Sequence, residues 1–187
     1  MCLGQEHGGL MGTQRPLYKE DDWVKMSLAI PFKYESGTHF VYNNIGPYLA
    51  GILVQRRSGC DLVSYLTPRL FSHLGIKRPT WEADPLGNTF GAGGLFLTLT
   101  ELHKFGLFYL NKGRWKGRQI LSEQWIEEST KVSDTEDYGY LFWRGEYNSF
   151  RADGKYGQLS IIMPDQNAVV SLVAECRRED KLMRAVY

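Results

Sequence analysis

Residues 36–44 read SGTHFVYNN, and they lead directly into the clearest helical pattern in the chain. After Asn44, a favourable N-cap residue, apolar side chains recur at the three- and four-residue spacing of one helix face. Gly59 can end such a helix in the left-handed conformation. The pattern predicts an amphipathic helix between these two residues, with its apolar face formed by Ile45, Tyr48, Leu49, Ile52 and Leu53.

Capping residues predict two further helices downstream. Asp61 can open the first of them, although Pro68, which lacks a backbone N–H, leaves its extent open. Thr98 and Glu101 have the spacing of a capping box, in which each side chain accepts a hydrogen bond from the other residue's backbone N–H. This spacing predicts a helix that ends near Asn111.

The last third of the chain changes from helical to alternating patterns. Ser122 precedes a fourth, short helix, in which Trp125 and Ile126 are expected to face inward. Four strands are then predicted, over residues 138–143, 147–152, 158–163 and 168–174. The turn composition of residues 164–167, PDQN, predicts an antiparallel hairpin from the last two strands, and residues 175–187 resemble the start of a helix.

Helices that precede a strand meander predict an α+β fold. A mainly helical region is expected over residues 1–135 and the strands of an antiparallel sheet over residues 136–187, in one intertwined fold. The 22 basic and 21 acidic residues leave a net charge of +1, which provides no long-range field to attract nucleic acid. No apolar run approaches the ~20 residues of a membrane helix, and the chain has no recognisable signal peptide.

The histidines and cysteines do not form a pattern typical of a metal site. The four histidines stand far apart, and the cysteines at positions 2, 60 and 176 have neither a Cys-x-x-Cys spacing nor an even number. No metal and no cofactor are therefore expected.

The stretch that ends in Tyr42-Asn43-Asn44 resembles the second active-site segment of the serine β-lactamase, penicillin-binding protein and esterase superfamily, in its class C-like branch. The resemblance continues in order through LGI (74–76), GAGGL (91–95), GRWKG (113–117), LSEQW (121–125), YGY (138–140) and IMPD (162–165). It implies the β-lactamase/transpeptidase-like fold, here in part: a helical region, an antiparallel strand meander and the start of a C-terminal helix. It also implies hydrolysis through an acyl-enzyme.

The resemblance implies catalytic roles for three residues. Tyr42 matches the tyrosine that relays protons between nucleophile and leaving group, and Asn44 matches the asparagine that hydrogen-bonds the substrate amide. Lys155 stands where the family has the lysine of Lys-Thr-Gly, on a strand that helps to form the oxyanion hole. Without the resemblance, Tyr42 and Asn44 are an aromatic residue before a helix and its N-cap, and Lys155 is a turn lysine between two glycines.

Three neighbours of Lys155 are expected to bind substrate. The resemblance places the backbone N–H of Gln158 near the reacting carbonyl, after Tyr156 and Gly157. Tyr156 replaces the threonine or serine whose hydroxyl contacts the substrate carboxylate in the family. A phenol is bulkier and reaches further, so ester or non-standard peptide substrates become favoured.

The chain departs from its family at the nucleophile, because no serine is followed by lysine three residues later. Residues 1–12 resemble the family segment that follows the Ser-x-x-Lys motif. We therefore expect the C-terminal part of a β-lactamase-like serine hydrolase, inactive as this chain, whose complete form acts on β-lactams, D-amino-acid peptides or esters. A missing N-terminus could carry a periplasmic or extracellular address.

The alternative is a non-catalytic pseudoenzyme or binding module for cell-wall peptide or a protein partner. In either case, missing N-terminal strands would leave a sheet edge open, which favours self-association. The two interpretations differ in what precedes Met1: the enzyme requires Ser-x-x-Lys upstream in the same reading frame, and the module requires a true start at Met1.

Overall fold

The computed structural model describes residues 4–5, 19–77, 79–132 and 137–186, without the side chains of residues 179 and 180. It confirms the α+β fold. The chain forms two compact units: unit 1 comprises Met1–Phe71 and Lys77–Phe96, and unit 2 comprises Ser72–Ile76 and Leu97–Tyr187. The division expected at residue 135 falls in a stretch outside the described residues, as do most of residues 1–12 and Tyr187.

Unit 1 is mainly helical. Its elements are α1 (Trp23–Leu28), α2 (Ile45–Ser58), α3 (Leu62–Leu66), a π-helical turn (Thr67–Phe71), and an antiparallel pair of short strands, β1 (Thr80–Trp81) and β2 (Leu95–Phe96). The helix opened by Asp61 does not stop at Pro68, because the wider π-helical turn incorporates a residue that cannot donate a backbone hydrogen bond.

The core of unit 1 forms around α2. Its buried members are Trp23, Val24, Ile45, Tyr48, Ile52 and Phe90. The rings of Trp23 and Phe90 meet edge to face, with centroids 5.8 Å apart, and the Phe90 ring lies 5.5 Å from that of Tyr48. This aromatic cluster fixes the face of α2 that the sequence predicted to be apolar.

Unit 2 consists of helices packed on a meander of four strands. Its elements are α4 (Ser72–Leu74), α5 (Leu99–Leu110), β3 (Arg114–Trp115), β4 (Arg118–Gln119), α6 (Glu123–Thr130), β5 (Trp143–Arg144), β6 (Phe150–Gly154), β7 (Gln158–Met163), β8 (Ala168–Val173) and α7 (Glu179–Val186). The last four strands form one antiparallel sheet in the order β5-β6-β7-β8. The hairpin predicted around residues 164–167 is confirmed, since the Asn167 N–H donates to the Pro164 carbonyl at 3.0 Å.

Helix α5 packs closely on β7 and β8. A Cβ atom at Gly106 would lie 2.5 Å from Ser160 Oγ and 2.6 Å from a methyl carbon of Val169, so only glycine allows this approach. Near the C-terminal end of α5, the Tyr109 ring lies 4.7 Å from the Phe142 ring, which lies 5.6 Å from the Phe150 ring, and the three form a buried cluster. This packing anchors the meander that carries residues 150–173.

Two side chains expected to face inward are exposed. Leu53, on α2, is 63% exposed, and Trp125, on α6, is 47% exposed. Trp125 packs instead against the Tyr140 ring, with centroids 5.9 Å apart. Ile126 is buried as predicted.

Two of the four strands begin later than predicted. Tyr138 forms only an isolated bridge to Trp143, where the first strand starts. The second begins at Phe150 because Tyr147 and Asn148 have φ angles of 51° and 58°, which belong to a turn. The third coincides with its prediction, and the fourth is one residue shorter. Among the described residues, no helix is both long and apolar enough to cross a membrane.

Candidate functional site

The predicted Tyr-x-Asn segment lies directly before α2. Tyr42 is 50% exposed, Asn44 is half-buried, and Asn43 between them is 2% exposed. The Asn43 side chain accepts a hydrogen bond from the Gly46 N–H at 3.0 Å and donates to the Val41 carbonyl at 2.9 Å. The buried Asn43 thus holds the segment in place, with the more exposed Tyr42 and Asn44 directly before and after it.

The helix begins after Asn44, as predicted, but a different side chain caps it. Asn44 occupies the N-cap position, but its side chain makes no capping hydrogen bond, and that role belongs to Asn43. The reason is geometric, because Asn44 already has a helical backbone conformation, with φ −95° and ψ −9°. A side chain one residue earlier then reaches the amide of the first turn.

The loop that enters the segment is stiffened by stacked side chains. The rings of Tyr34 and His39 are nearly parallel, with centroids 4.3 Å apart, and the Lys33 ammonium lies 5.1 Å from the Tyr34 centroid. His39 Nδ1 and Thr38 Oγ1 are 2.8 Å apart. These contacts shape an exposed loop of cationic and aromatic groups just before Tyr42.

A buried hydrogen bond holds α2 behind the segment. Tyr48 is fully buried, and its hydroxyl donates to Asp84 Oδ2 at 2.5 Å. The Asp84 carboxylate also accepts from the Leu86 N–H at 3.0 Å and from the backbone and side-chain N–H groups of Asn88 at 2.8 Å each. Burial, and then the Asp84 hydrogen bond, raise the pKa of Tyr48 well above its usual value.

Sequence reasoning missed Asp84. Residues 84–88 read DPLGN, which is a turn composition. In such a turn the first carboxylate commonly accepts a hydrogen bond from the backbone N–H two residues later. That signal predicts the turn but not the partner on α2. The pairing with Tyr48 depends on tertiary structure.

Lys155, Tyr156 and Gly157 form the loop between β6 and β7, not part of a strand as expected. The Gly157 N–H donates to the Gly154 carbonyl at 3.2 Å, and Tyr156 and Gly157 have φ angles of 68° and 98°. Such angles close a hairpin and are incompatible with extended strand. The location of Lys155 is therefore that of a turn lysine, and its catalytic role stays a prediction.

Two cations lie near the Tyr156 ring. Lys155 Nζ is 4.5 Å and Arg177 Cζ 6.0 Å from the ring centroid, distances at which a cation is attracted to an aromatic face. The Cys176 N–H donates to the Tyr156 carbonyl at 2.8 Å, which ties the loop to the segment after β8. Arg177 was not among the predicted site residues, because its proximity to Tyr156 arises only through the sheet.

Gln158 begins β7, as predicted, but β7 is an inner strand of the meander. Gln158 pairs with Gly154 on one side and Val173 on the other, so its backbone has a partner strand at each edge. Strand β6 differs, because its pairing with β5 ends at Arg151. Beyond that pair, residues 152–154 present an outer edge with no partner strand among the described residues.

The predicted site residues fall into two groups. Tyr42 and Asn44 belong to unit 1, whereas Lys155, Tyr156, Gly157 and Gln158 belong to unit 2. Within the described ranges, no three His, Cys, Asp or Glu side chains are grouped as metal ligands would be. The predicted site residues therefore offer a phenol, an amide, cations and backbone N–H donors for chemistry.

The chain spans about half to two thirds of the length of the solved structures described here. A protein provisionally named 6-aminohexanoate-dimer hydrolase, from Bacillus anthracis, has a TM-score of 0.79 at 20% identity and is matched over 100% of this chain and 55% of its own. A penicillin-binding protein from Bacillus halodurans has a TM-score of 0.69 at 19% identity, over 93% of this chain and 66% of its own. Simvastatin synthase from Aspergillus terreus has a TM-score of 0.61 at 18% identity, over 84% and 55%.

These likenesses establish the fold, and the sequence itself establishes the family. No curated protein matches the chain. The profile of the Beta-lactamase family, however, matches residues 4–185, which is nearly the whole sequence. The chain therefore belongs to the β-lactamase family.

Proposed function

We propose that the chain forms the C-terminal part of a serine hydrolase that acts through an acyl-enzyme on β-lactams, D-amino-acid peptides or esters. The observation that carries the proposal is the presentation of Tyr42, half exposed and fixed directly before α2 by the buried Asn43. A group that transfers protons must be held in place and be accessible to substrate, and the half-exposed Tyr42 beside the buried Asn43 is consistent with both requirements.

The nucleophile is assigned to sequence outside these 187 residues. None of the serines here has a lysine three residues later, and the chain spans 55% of the length of the hydrolase from Bacillus anthracis. In the complete protein, a serine Oγ would attack the substrate carbonyl while Tyr42 accepts its proton and passes it to the leaving group. Water would then cleave the acyl ester and restore the serine.

Tyr42 and Asn44 take different parts in this reaction. A tyrosine of ordinary pKa, about 10, needs neighbouring cations to act as a base near neutral pH. The lysine of the external Ser-x-x-Lys motif would supply one such cation. The Asn44 amide can donate to a carbonyl of the substrate and accept from its N–H.

The outer edge of β6 is a better candidate for the oxyanion donor than Gln158. An oxyanion hole needs backbone N–H groups that no neighbouring strand uses. The pairing of Gln158 on both sides argues against it, and the open edge of residues 152–154 favours that segment. The ion pair of Arg151 Nε with Asp153 Oδ2, at 2.7 Å, lies on the same strand and holds its conformation.

The first experiment reads the genomic sequence upstream of the codon for Met1. An in-frame Ser-x-x-Lys supports the proposal, and activity measurements then use the longer protein. There, a β-lactam or activated ester should add one acyl group to that serine, detected by intact-protein mass spectrometry. An in-frame stop directly before Met1 would contradict the proposal.

In that longer protein, Tyr42→Phe should lower kcat/KM about 100-fold or more, as loss of a general acid–base group does. Tyr147→Phe, at a tyrosine that is 61% exposed in a turn of unit 2, is the matched control and should leave turnover unchanged. Steady-state hydrolysis of a chromogenic substrate measures both. Equal rates for Tyr42→Phe and wild type would remove Tyr42 from the mechanism.

The second candidate function is a binding module without catalysis, for cell-wall peptide or a protein partner. The absence of Ser-x-x-Lys from the 187 residues favours it. A stop codon before Met1 combined with saturable binding of a D-Ala-D-Ala peptide would support this alternative.

A further inference from the structure

Asn43 makes two side-chain hydrogen bonds that run in opposite directions along the chain. Its Nδ2 donates to the carbonyl of Val41, before Tyr42, and its Oδ1 accepts from the N–H of Gly46, after Asn44. Asn43 is buried, so water does not compete effectively for either bond. The two bonds therefore constrain the backbone on both sides of Asn43.

The bond to Val41 closes a ring that contains Tyr42. The covalent path from the Val41 carbonyl to the Asn43 side chain runs through the N, Cα and C atoms of Tyr42. Both soft backbone dihedral angles of Tyr42 thus lie inside the ring, and the ring limits the values that they can adopt. Because the phenol leaves the backbone from this Cα atom, the ring sets the direction in which it projects.

The bond from Gly46 closes a second ring, which contains Asn44 and Ile45. Asn44 is held in this ring at φ −95° and ψ −9°. Ile45 is fully buried and belongs to the core of unit 1, so the second ring is attached to packed side chains. Each candidate catalytic residue of unit 1 therefore lies in a ring closed by a different atom of one amide.

Helix capping alone does not require asparagine here. Aspartate and serine cap helices about as well, because each presents an oxygen to an N–H of the first turn. In the same unit, α1 and α3 begin after Asp22 and Asp61, whose carboxylates accept from such N–H groups. What Asn43 adds is a donor on a separate atom, and that donor bonds to the carbonyl directly before Tyr42.

We propose that Asn43 is a positioning residue, whose amide orients Tyr42 through the bond to Val41 and Asn44 through the bond from Gly46. This inference rests on the proposed function, because Asn43 acts on the reaction only through its two neighbours. Asn43→Asp separates the two bonds. It replaces Nδ2 by an oxygen of similar size, so the acceptor for Gly46 remains and the donor to Val41 is lost.

The first test measures ¹⁵N relaxation in the full 187-residue chain. The wild-type order parameter of Tyr42 should be close to the value of about 0.85 of rigid backbone. Asn43→Asp should lower it at Tyr42 and leave it unchanged at Asn44, whereas Asn43→Ala, which removes both bonds, should lower it at both. A wild-type value for Tyr42 below about 0.6, or a value that Asn43→Asp does not change, would overturn the proposal.

The second test measures kinetics in the longer protein that carries Ser-x-x-Lys. Asn43→Asp should lower kcat about tenfold or more and leave KM nearly unchanged, since a misdirected Tyr42 impairs proton transfer and not uniform substrate binding. Asp61→Ala is the control, because it removes the cap of α3 and should lower stability without lowering kcat. Equal kcat losses in the two variants would overturn the proposal.

A double-mutant cycle shows whether Asn43 acts through Tyr42. In a Tyr42→Phe background, Asn43→Asp should lower kcat by less than about threefold, because the group that it orients is already absent. The same loss in both backgrounds would overturn the proposal. A Tyr42→Phe variant with wild-type turnover would instead contradict the proposed function, and the order parameters would still decide whether Asn43 holds Tyr42.

Discussion

At the scale of single residues, the buried hydrogen bond between Tyr48 and Asp84 has the clearest consequence for stability. The phenol is fully buried and donates to a carboxylate that is itself 5% exposed and receives three further N–H donors. A folded chain that keeps Tyr48 neutral therefore binds its proton more tightly than an unfolded one. This difference makes stability depend on alkaline pH.

The dependence has a definite sign. The folded-state pKa of Tyr48 is raised, so its contribution to stability is complete below the unfolded pKa of about 10 and is lost as pH rises above it. Between pH 9 and pH 11, the wild type should lose about 1.4 kcal/mol more unfolding free energy than Tyr48→Phe. Urea unfolding at the two pH values measures this, with Tyr147→Phe as the exposed-tyrosine control. Identical losses in wild type and Tyr48→Phe would contradict it.

Local sequence predicted some residues of the candidate site better than others. The spacing of Tyr42 and Asn44 before an apolar helix face is a local signal, and both lie where it places them. The partners of Tyr48 and Tyr156 could not be predicted, because Asp84 and Arg177 are far from them in sequence. Asn44 lies at the predicted N-cap position, but Asn43, with the same side chain, accepts the hydrogen bond from the Gly46 N–H.

At the scale of elements, the two asparagines before α2 have different roles. Asn43 stabilises the start of the helix, and Asn44 is the candidate catalytic residue. Asn43→Ala removes the acceptor of the Gly46 N–H and a buried donor to Val41, and it should lower the unfolding free energy by about 2 kcal/mol. Asn44→Ala removes no capping bond, so its cost should lack the contribution of about 1 kcal/mol that a helix cap makes. Denaturant unfolding of both variants measures the contrast. Equal costs would show that the cap is shared.

Helix boundaries were more predictable than strand boundaries. The caps at Thr98 and Ser122 accept hydrogen bonds from the N–H groups of Glu101 and Trp125, so the signal and its partner lie within four residues. The late start of β6 has a non-local cause. Asn148 accepts from Arg144 and donates to Asp165, at 2.7 and 2.9 Å, and these contacts hold a turn where alternation predicted strand.

At the scale of the whole molecule, β8 is the last strand of the meander. Its sequence, AVVSLV, contains no charge and no proline, the usual features that keep an edge strand from pairing with another chain. The self-association predicted from the sequence remains a prediction that this edge supports.

We expect the chain to elute as an oligomer in size-exclusion chromatography with light scattering. Val173→Lys places a charge at a position of β8 that is 59% exposed, and it should shift the population toward monomer. Leu53→Lys, at a 63% exposed position on α2, is the control and should not. A sharp monomer peak with cooperative melting of the wild type would contradict the prediction.

The two units are interleaved along the chain. The backbone passes between them after Phe71, after Ile76 and again after Phe96, so each unit is assembled from two separate stretches of sequence. No single contiguous gene segment encodes either unit alone. Recombination that joined this gene to a homologue at one breakpoint within residues 72–96 would therefore combine stretches of different ancestry inside both units. Chimaeras of this family should tolerate crossovers best near residue 97, where the longest uninterrupted stretch of unit 2 begins.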